Sequence, residues 1–138
     1  MPIEDMCRAL VEGAPDAILV SGPDGRITFW NGGAERIFGF TREEATGQSL
    51  DIIVPENLRA RHWHGYQETM RTGQTRYGAG DLLTVPALRK DGTRISIEFS
   101  IVPFHDASGA ITALGAIIRD VTKRFEELNA LRKAAHPA

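Results

Sequence analysis

The sequence predicts an α+β fold built on an antiparallel sheet. Three observations support this prediction: two β-prone segments lie near the N-terminus, the middle is rich in helix formers and helix caps, and three further β-prone segments follow. Strands joined by short turns pair in the antiparallel sense, because a parallel pair needs a long crossover connection. At 138 residues, the chain is long enough for one domain with its own hydrophobic core.

The N-terminal part predicts a helix followed by a β-hairpin. Residues 2–12 carry apolar side chains at helical spacing and acidic residues in the first turn, which indicates a short amphipathic helix. Strands are expected near residues 17–21 and 26–30. The sequence PDG at residues 23–25 separates them, and it favours a hairpin turn because proline presets φ and glycine accepts a positive φ.

The middle of the chain predicts several short helices. Thr41 and Glu44 have the spacing of a capping box, so a helical turn is expected at residues 42–46. Gly47 would end that turn. One longer helix is predicted for residues 56–71, since a Thr-Gly pair follows it directly.

The second half predicts three strands and a final helix. Residues 77–90 and 94–104 are β-prone and flank a D-G turn, and the second segment alternates apolar and polar side chains. The continuous apolar stretch within residues 111–122 suits a central strand. Residues 122–135 are strongly helical. Together with Val121 they carry a heptad-like apolar seam, which is too short for a secure coiled coil.

Composition excludes several classes of function. A net charge of -2 supplies no general attraction to nucleic acid or to an anionic membrane, and no apolar run is long enough for a membrane helix. Cys7 is the one cysteine, so no internal disulfide is possible, and without an export signal a cytoplasmic location is expected. The sequence shows no nucleophile-base pair and no paired carboxylates, so we expect no enzyme activity.

Three stretches, in order along the chain, resemble landmarks of the PAS domain family. The stretch ITFWNGGAERIFGFTREEATGQSL resembles the opening of a PAS domain, in which a strand ends at an asparagine, here Asn31, and I-F-G-F and E-x-x-G follow. The stretch RKDGTRISIEFSI resembles the PAS hairpin with its D-G turn. The stretch RDVTKRFE resembles the D-I-T element that joins the last strand to an output helix, with Asp120 and Thr122 as matching residues.

The resemblance implies a five-stranded antiparallel sheet in the order 2-1-5-4-3, with helices on one face around a small-ligand pocket. It implies a sensory module that forms a homodimer through its flanking helices and acts on a separate effector, such as a kinase. Residues 1–13 are then expected to form an N-terminal flanking helix, residues 14–122 the PAS domain, and residues 123–138 a C-terminal signalling helix. Asp120 and Thr122 are the expected signalling joint.

The segment RARHWHGY holds the main ligand candidates. Oxygen-sensing PAS domains bind heme iron through a histidine after a P-E/P-x-x-R-x-x-H stretch, and PENLRARH places His62 there. The resemblance therefore implies heme as a candidate cofactor, with His62 as the metal ligand. His62 and His64 point about 200° apart on a helix, so only one of them faces inward. Helical spacing groups His62 with Tyr66 and Met70 in the pocket, with Trp63 beside them.

Leu83, Phe99 and Ile117 are expected to complete the walls of this pocket. Leu82 or Leu83 would lie opposite the helix, where heme sensors of the family carry Arg or Met, so the distal side of a heme would be apolar. Flavin with a cysteinyl adduct is excluded, because Cys7 lies at the wrong end of the chain. Three alternatives stay open: heme, an unknown small apolar ligand, or no ligand in an interaction module filled by its own side chains.

Overall fold

The structure, a computed structural model, describes residues 1–76, 78 and 80–136. Its helices are α1 (Ile3–Gly13), α2 (Gly32–Phe38), α3 (Arg42–Ala45), α4 (Arg59–Thr72) and α5 (Thr122–Ala135). Its strands are β1 (Ala17–Ser21), β2 (Ile27–Trp30), β3 (Leu83–Leu88), β4 (Arg94–His105) and β5 (Ile111–Asp120). The strands form one antiparallel sheet in the order β2-β1-β5-β4-β3, which confirms the predicted fold class and strand order. Residues 77 and 79 of the predicted third β segment lie outside the described residues.

The turn and capping signals of the sequence form the local structures predicted from them. Gly25 closes the β1–β2 hairpin with a φ of 78°, a left-handed value that glycine adopts readily. The Thr41 hydroxyl accepts from the Glu44 N–H at 3.2 Å, and the Glu44 carboxylate accepts from the Thr41 N–H at 2.8 Å. This reciprocal pair is the predicted capping box, and it starts α3.

The long helix predicted for residues 56–71 begins later than expected. Residues 56–58 form a 3-10 turn, in which the Leu58 N–H donates to the Pro55 carbonyl at 2.9 Å, and α4 begins at Arg59. A 3-10 turn closes with an i to i+3 bond, which suits a short entry segment directly after a proline. The helical pattern alone does not separate the two conformations, because their side-chain periods of 3.0 and about 3.6 residues differ little over one turn.

The inner face of the sheet packs against α2, α3 and α4 and carries the hydrophobic core. Phe99 and Ile118 are cross-strand partners on this face. Ile117, the residue before Ile118, points to the opposite, outer face. There it pairs with Ile18 and Ser100, and it is 41% exposed. The prediction that Ile117 lines an inner pocket is therefore wrong. Because β5 carries aliphatic side chains on both faces, its sequence does not reveal which residues point inward.

Both edge strands of the sheet are protected from further pairing. Residues 47–49 cover the edge of β2 and exchange backbone hydrogen bonds of 2.8 Å with Ile27. Directly after β3, the Arg89 N–H donates to the Thr93 carbonyl at 2.9 Å, which shows which residues of the β3–β4 ladder bond across it. Successive residues of β3 alternately bond to β4 and point away from it. Pro86, three residues before Arg89, is one that points away, so its nitrogen faces the open edge. Proline has no N–H, so this edge lacks a donor where another strand would pair.

Asn31 is a fully buried side chain that joins α1, the start of β1 and α2. Its Oδ1 accepts from the N–H groups of Ile18 at 2.8 Å and Ala34 at 2.9 Å. Its Nδ2 donates to the carbonyls of Val11 at 2.7 Å and Asp16 at 3.1 Å. The bond to Ala34 is the N-cap of α2, a position that asparagine favours because its side-chain oxygen accepts from a free helix N–H. An amide side chain that both donates and accepts twice ties the end of α1 to β1 and α2.

The terminal helices α1 and α5 lie outside the core and bury none of their residues. Val121, expected on the seam of the last helix, is instead 7% exposed and precedes α5. No helix in the described part of the chain is long and apolar enough to cross a membrane. The large apolar side chains that the two terminal helices expose are Ile3, Met6 and Leu10 on α1 and Phe125, Leu128 and Leu131 on α5.

Candidate functional site

The candidate site is the face of α4 that points toward the sheet. Tyr66 is buried, and Trp63 and Met70 pack against the core, whereas His64 is exposed. His62 is half-buried on the same side as Tyr66, with ring centroids 5.8 Å apart. The structure thus separates the two histidines as helical spacing predicts. It brings together four of the side chains proposed from the sequence.

Tyr66 anchors α4 to the end of β1. Its hydroxyl donates to the Gly22 carbonyl at 2.5 Å and lies 2.9 Å from the hydroxyl oxygen of Ser21, which is itself buried. A phenol has one hydrogen, so Ser21 donates to Tyr66. Burial raises the pKa of Tyr66, the bond from Ser21 lowers it, and the Asp24 carboxylate raises it further. The neutral phenol is therefore the form that holds this bond.

Trp63 closes the site beside the β1–β2 hairpin. Its Nε1 donates to the Asp51 carboxylate at 2.7 Å, and its ring meets the His62 ring edge-on with centroids 4.6 Å apart. A Cβ built on Gly25 would lie 2.2 Å from the indole, so only glycine leaves room for it. Gly25 therefore serves both the turn and the packing of Trp63.

His62 offers an unpaired nitrogen inside the protein. Its Nδ1 is the one buried side-chain nitrogen or oxygen, among the described residues, that has no hydrogen-bond partner. Burial lowers the pKa of His62, and the Asp51 carboxylate opposes this in part. A neutral imidazole with a free nitrogen suits a metal ion or a hydrogen-bonding ligand.

The sheet supplies an apolar wall opposite this helix. Leu83 and Phe99 are cross-strand partners on the inner face, and both are half-buried. Leu82 is 64% exposed, so of the two leucines considered for the distal position only Leu83 remains. Ile117 is absent from this wall because it lies on the outer face. No group of three or more His, Cys, Asp or Glu side chains able to hold a metal occurs among the described residues.

Lowering the pH is expected to destabilise the protein through His62. Because burial lowers its folded-state pKa below the ordinary value of 6.5, the unfolded chain binds the proton more tightly. The stability that neutral His62 contributes above pH 6.5 is therefore lost as the pH falls from about 6.5 toward the lower folded-state pKa. Urea titrations at about pH 7.5 and pH 5.5 should show a smaller loss of unfolding free energy in His62→Gln than in wild type.

The matched control for this titration is His64→Gln, which changes the exposed histidine two residues along the same helix. It should lose as much stability on acidification as wild type does. An equal loss in wild type and in His62→Gln would show that His62 does not account for the pH dependence.

The strand-to-helix joint forms a compact hydrogen-bonded unit. The Asp120 carboxylate accepts from the N–H and the hydroxyl of Thr122 at 2.9 and 2.5 Å. The Thr122 hydroxyl oxygen in turn accepts from the Ser96 N–H at 2.9 Å. Arg124 adds an ion pair to Glu98 at 2.9 Å. The two residues proposed as the signalling joint therefore connect β5, β4 and the first turn of α5.

Several residues that shape the site were not singled out by sequence reasoning. Asp51 and Ser21 contact α4 from 12 and 45 residues away along the chain. Neither stands in a pattern that marks it, because a lone polar residue gives no signal of its distant partner. Gly25 was recognised for its turn alone, and its contact with Trp63 depends on tertiary packing.

Comparisons with known proteins point to one family. A family model described as the PAS fold matches residues 11–126. The chain is 32% identical over 120 residues to the sensor protein FixL of Bradyrhizobium diazoefficiens and 27% identical over 125 residues to the oxygen sensor protein DosP of Escherichia coli. These matches cover 87% and 91% of this chain but 23% and 15% of the relatives, so the chain spans less than a quarter of their length.

A solved structure has the same architecture. The PAS domain of a protein from Colwellia psychrerythraea is 25% identical and superposes with a TM-score of 0.74. The match covers 88% of this chain and 99% of that one, so the two agree over nearly the whole of the solved domain.

Proposed function

Because this chain belongs to the PAS-fold family, we propose that it is a non-enzymatic sensory module that binds a small ligand on the inner face of α4. The observation that carries this proposal is the unpaired, buried Nδ1 of His62. Leaving a buried polar atom without a partner costs about 1–3 kcal/mol, and a ligand that engages this nitrogen would recover that cost. The similarity to a protein named as an oxygen sensor supports the same direction.

Heme is the first ligand to test. His62 would hold the iron through an imidazole nitrogen, and Leu83 and Phe99 would supply apolar surface to the group. The guanidinium of Arg59 donates to the carbonyls of Val54 at 3.1 Å and Asp51 at 3.2 Å. These bonds use two of its five N–H groups, and its Nε also lies 3.9 Å from the Asp51 carboxylate. When bound, heme would supply an iron centre for a diatomic gas or an electron.

Absorption spectroscopy tests the heme proposal directly. The purified chain, mixed with an equal concentration of hemin, should develop a Soret band and show saturable binding. His62→Ala should abolish this spectrum and His64→Ala should keep it, since only His62 faces the sheet. A band of equal intensity in both variants would mean that hemin binds elsewhere. No band in the wild type would contradict heme as the ligand.

A ligand-free interaction module is the second candidate function. Trp63 and Tyr66 already fill much of the face of α4, and each bonds to a residue outside that helix. Such bonds hold α4 in place without a ligand. A colourless protein that releases no small molecule on denaturation would favour this alternative over a sensor with an occupied site.

We further propose that the module forms a homodimer through α1 and α5. Each helix exposes three large apolar side chains. In a two-fold dimer, these side chains would pack against the equivalent helices of a second copy and be buried there. In this arrangement a change at α4 would reach an effector, such as a kinase, through the joint at Asp120 and Thr122. The location expected for such a module is the cytoplasm, and nucleic acid and membrane are not expected partners.

A charged substitution among the exposed apolar side chains of α1 tests the dimer. Leu10→Glu is expected to convert the protein from dimer to monomer, because Leu10 is 71% exposed and a buried, unpaired carboxylate would oppose association. Light scattering coupled to size exclusion gives the mass. Glu4→Gln, a polar change on the same helix, serves as the control and should leave the mass unchanged. A monomeric wild type would contradict the proposal.

A further inference from the structure

His105 joins two parts of the chain that are far apart in sequence. It is the last residue of β4, and its Nε2 lies 2.8 Å from the carbonyl oxygen of Gly73, the residue that ends α4. A carbonyl oxygen only accepts hydrogen bonds, so Nε2 carries the hydrogen and donates it. The bond bridges 32 residues and ties the C-terminal end of α4 to the end of a strand.

The two backbones also approach each other at this point. A Cβ built on Gly73 would lie 3.0 Å from the carbonyl oxygen of Gly109, in the turn between β4 and β5. The turn is well ordered by hydrogen bonds, since the Asp106 carboxylate accepts from the N–H groups of Ser108 at 2.9 Å and Ala110 at 3.1 Å. The end of α4 therefore rests on a structured turn, and His105 adds a directional bond to that contact.

This contact lies between the helix that carries His62 and the strand that leads to α5. His62 is on α4, about three turns before Gly73. Beyond the turn, β5 runs along β4 to Asp120 and leads into α5. The long antiparallel ladder between β4 and β5 makes the hairpin a stiff element.

We propose that His105 couples α4 to the β4–β5 hairpin, so that a displacement of α4 at His62 is passed through β5 to α5. This inference rests on the proposed relay to α5. It assigns His105 as a positioning residue, which acts through its hydrogen bond to Gly73.

Hydrogen exchange of the full chain without added ligand tests this coupling. His105→Ala is expected to lower the protection of amides in three places by about two- to tenfold, which corresponds to the loss of one hydrogen bond. These places are the last turn of α4, the turn at residues 106–110, and the first turn of α5. His105→Gln places an amide nitrogen near the position of Nε2 and should restore protection, whereas His105→Asn should not. His64→Ala controls for the loss of a histidine from the surface.

Three outcomes would overturn the coupling. One is unchanged protection of α5 in His105→Ala while α4 and the turn lose theirs. Another is equal behaviour of His105→Gln and His105→Ala, because the donor would then be irrelevant. The third is a uniform fall that includes the β1–β2 hairpin, which would indicate global destabilisation. Hemin is not part of this experiment, so a negative heme spectrum and a failed coupling remain distinguishable.

Discussion

Replacing Asn31 with alanine is expected to lower the free energy of unfolding by about 3–5 kcal/mol. The change removes four hydrogen bonds at a fully buried position and leaves the N–H of Ile18 and the carbonyls of Val11 and Asp16 without their partner. It also removes the N-cap of α2 at Ala34, a loss that by itself costs about 1 kcal/mol. Urea denaturation measures the effect.

Two companion variants sharpen this experiment. Asn57→Ala removes an exposed asparagine whose contact with Arg94 is 3.3 Å, and it should change stability by no more than about 0.5 kcal/mol. Asn31→Asp keeps the oxygen that accepts from Ile18 and Ala34 but brings a carboxylate oxygen against the carbonyls of Val11 and Asp16. It should therefore be at least as destabilising as Asn31→Ala at neutral pH. A loss below about 1 kcal/mol in Asn31→Ala would contradict the role given to this side chain.

Two glycine-to-alanine substitutions are expected to change stability in opposite directions. Gly33→Ala should destabilise by about 3 kcal/mol or more, because a Cβ at this buried position would lie 2.0 Å from the Asp16 carbonyl oxygen and 2.5 Å from its carbon. Backbone atoms cannot rotate away as a side chain can, so α2 or the start of β1 must move. The measurement is again urea denaturation, with soluble yield as a second readout in case the variant fails to fold.

Gly65→Ala is the matched control for that clash. Gly65 lies in the interior of α4 at an exposed position, and nothing stands within 4 Å of its added Cβ. Alanine should therefore stabilise the protein by about 0.5–1 kcal/mol through its helix propensity. Destabilisation by Gly65→Ala, or tolerance of Gly33→Ala, would show that these contacts do not limit the fold.

Features with local causes were predictable from the sequence. The PDG turn, the capping box of Thr41 and Glu44, and the cap at Asn31 each depend on residues within a few positions of one another. The separation of His62 from His64 is of the same kind, since it follows from the helical rotation between residues two apart. The order of strands was implied by the resemblance to PAS domains and not by these signals.

Features that depend on distant neighbours were not predictable in this way. Ile117 was expected on the inner face, but both faces of β5 are apolar, and the pairing with Ile18 and Ser100 decides the side. The bonds of Tyr66 to Ser21 and of His105 to Gly73 join residues 45 and 32 positions apart. No periodicity in the sequence records such a pairing.

The sequence by itself determined the class of fold, the local turns and caps, and which histidine of RARHWHGY faces inward. The turns, the caps and the histidine orientation follow from backbone geometry over a few residues. The fold class follows from the order of β-prone and helix-prone segments along the chain. Only the tertiary structure decided that the Nδ1 of His62 is buried without a partner, that Arg59 is bound to backbone carbonyls, and that α4 ends against the β4–β5 turn. These features depend on which distant segments pack together when the sheet forms. That packing decides which buried polar groups find a hydrogen-bond partner.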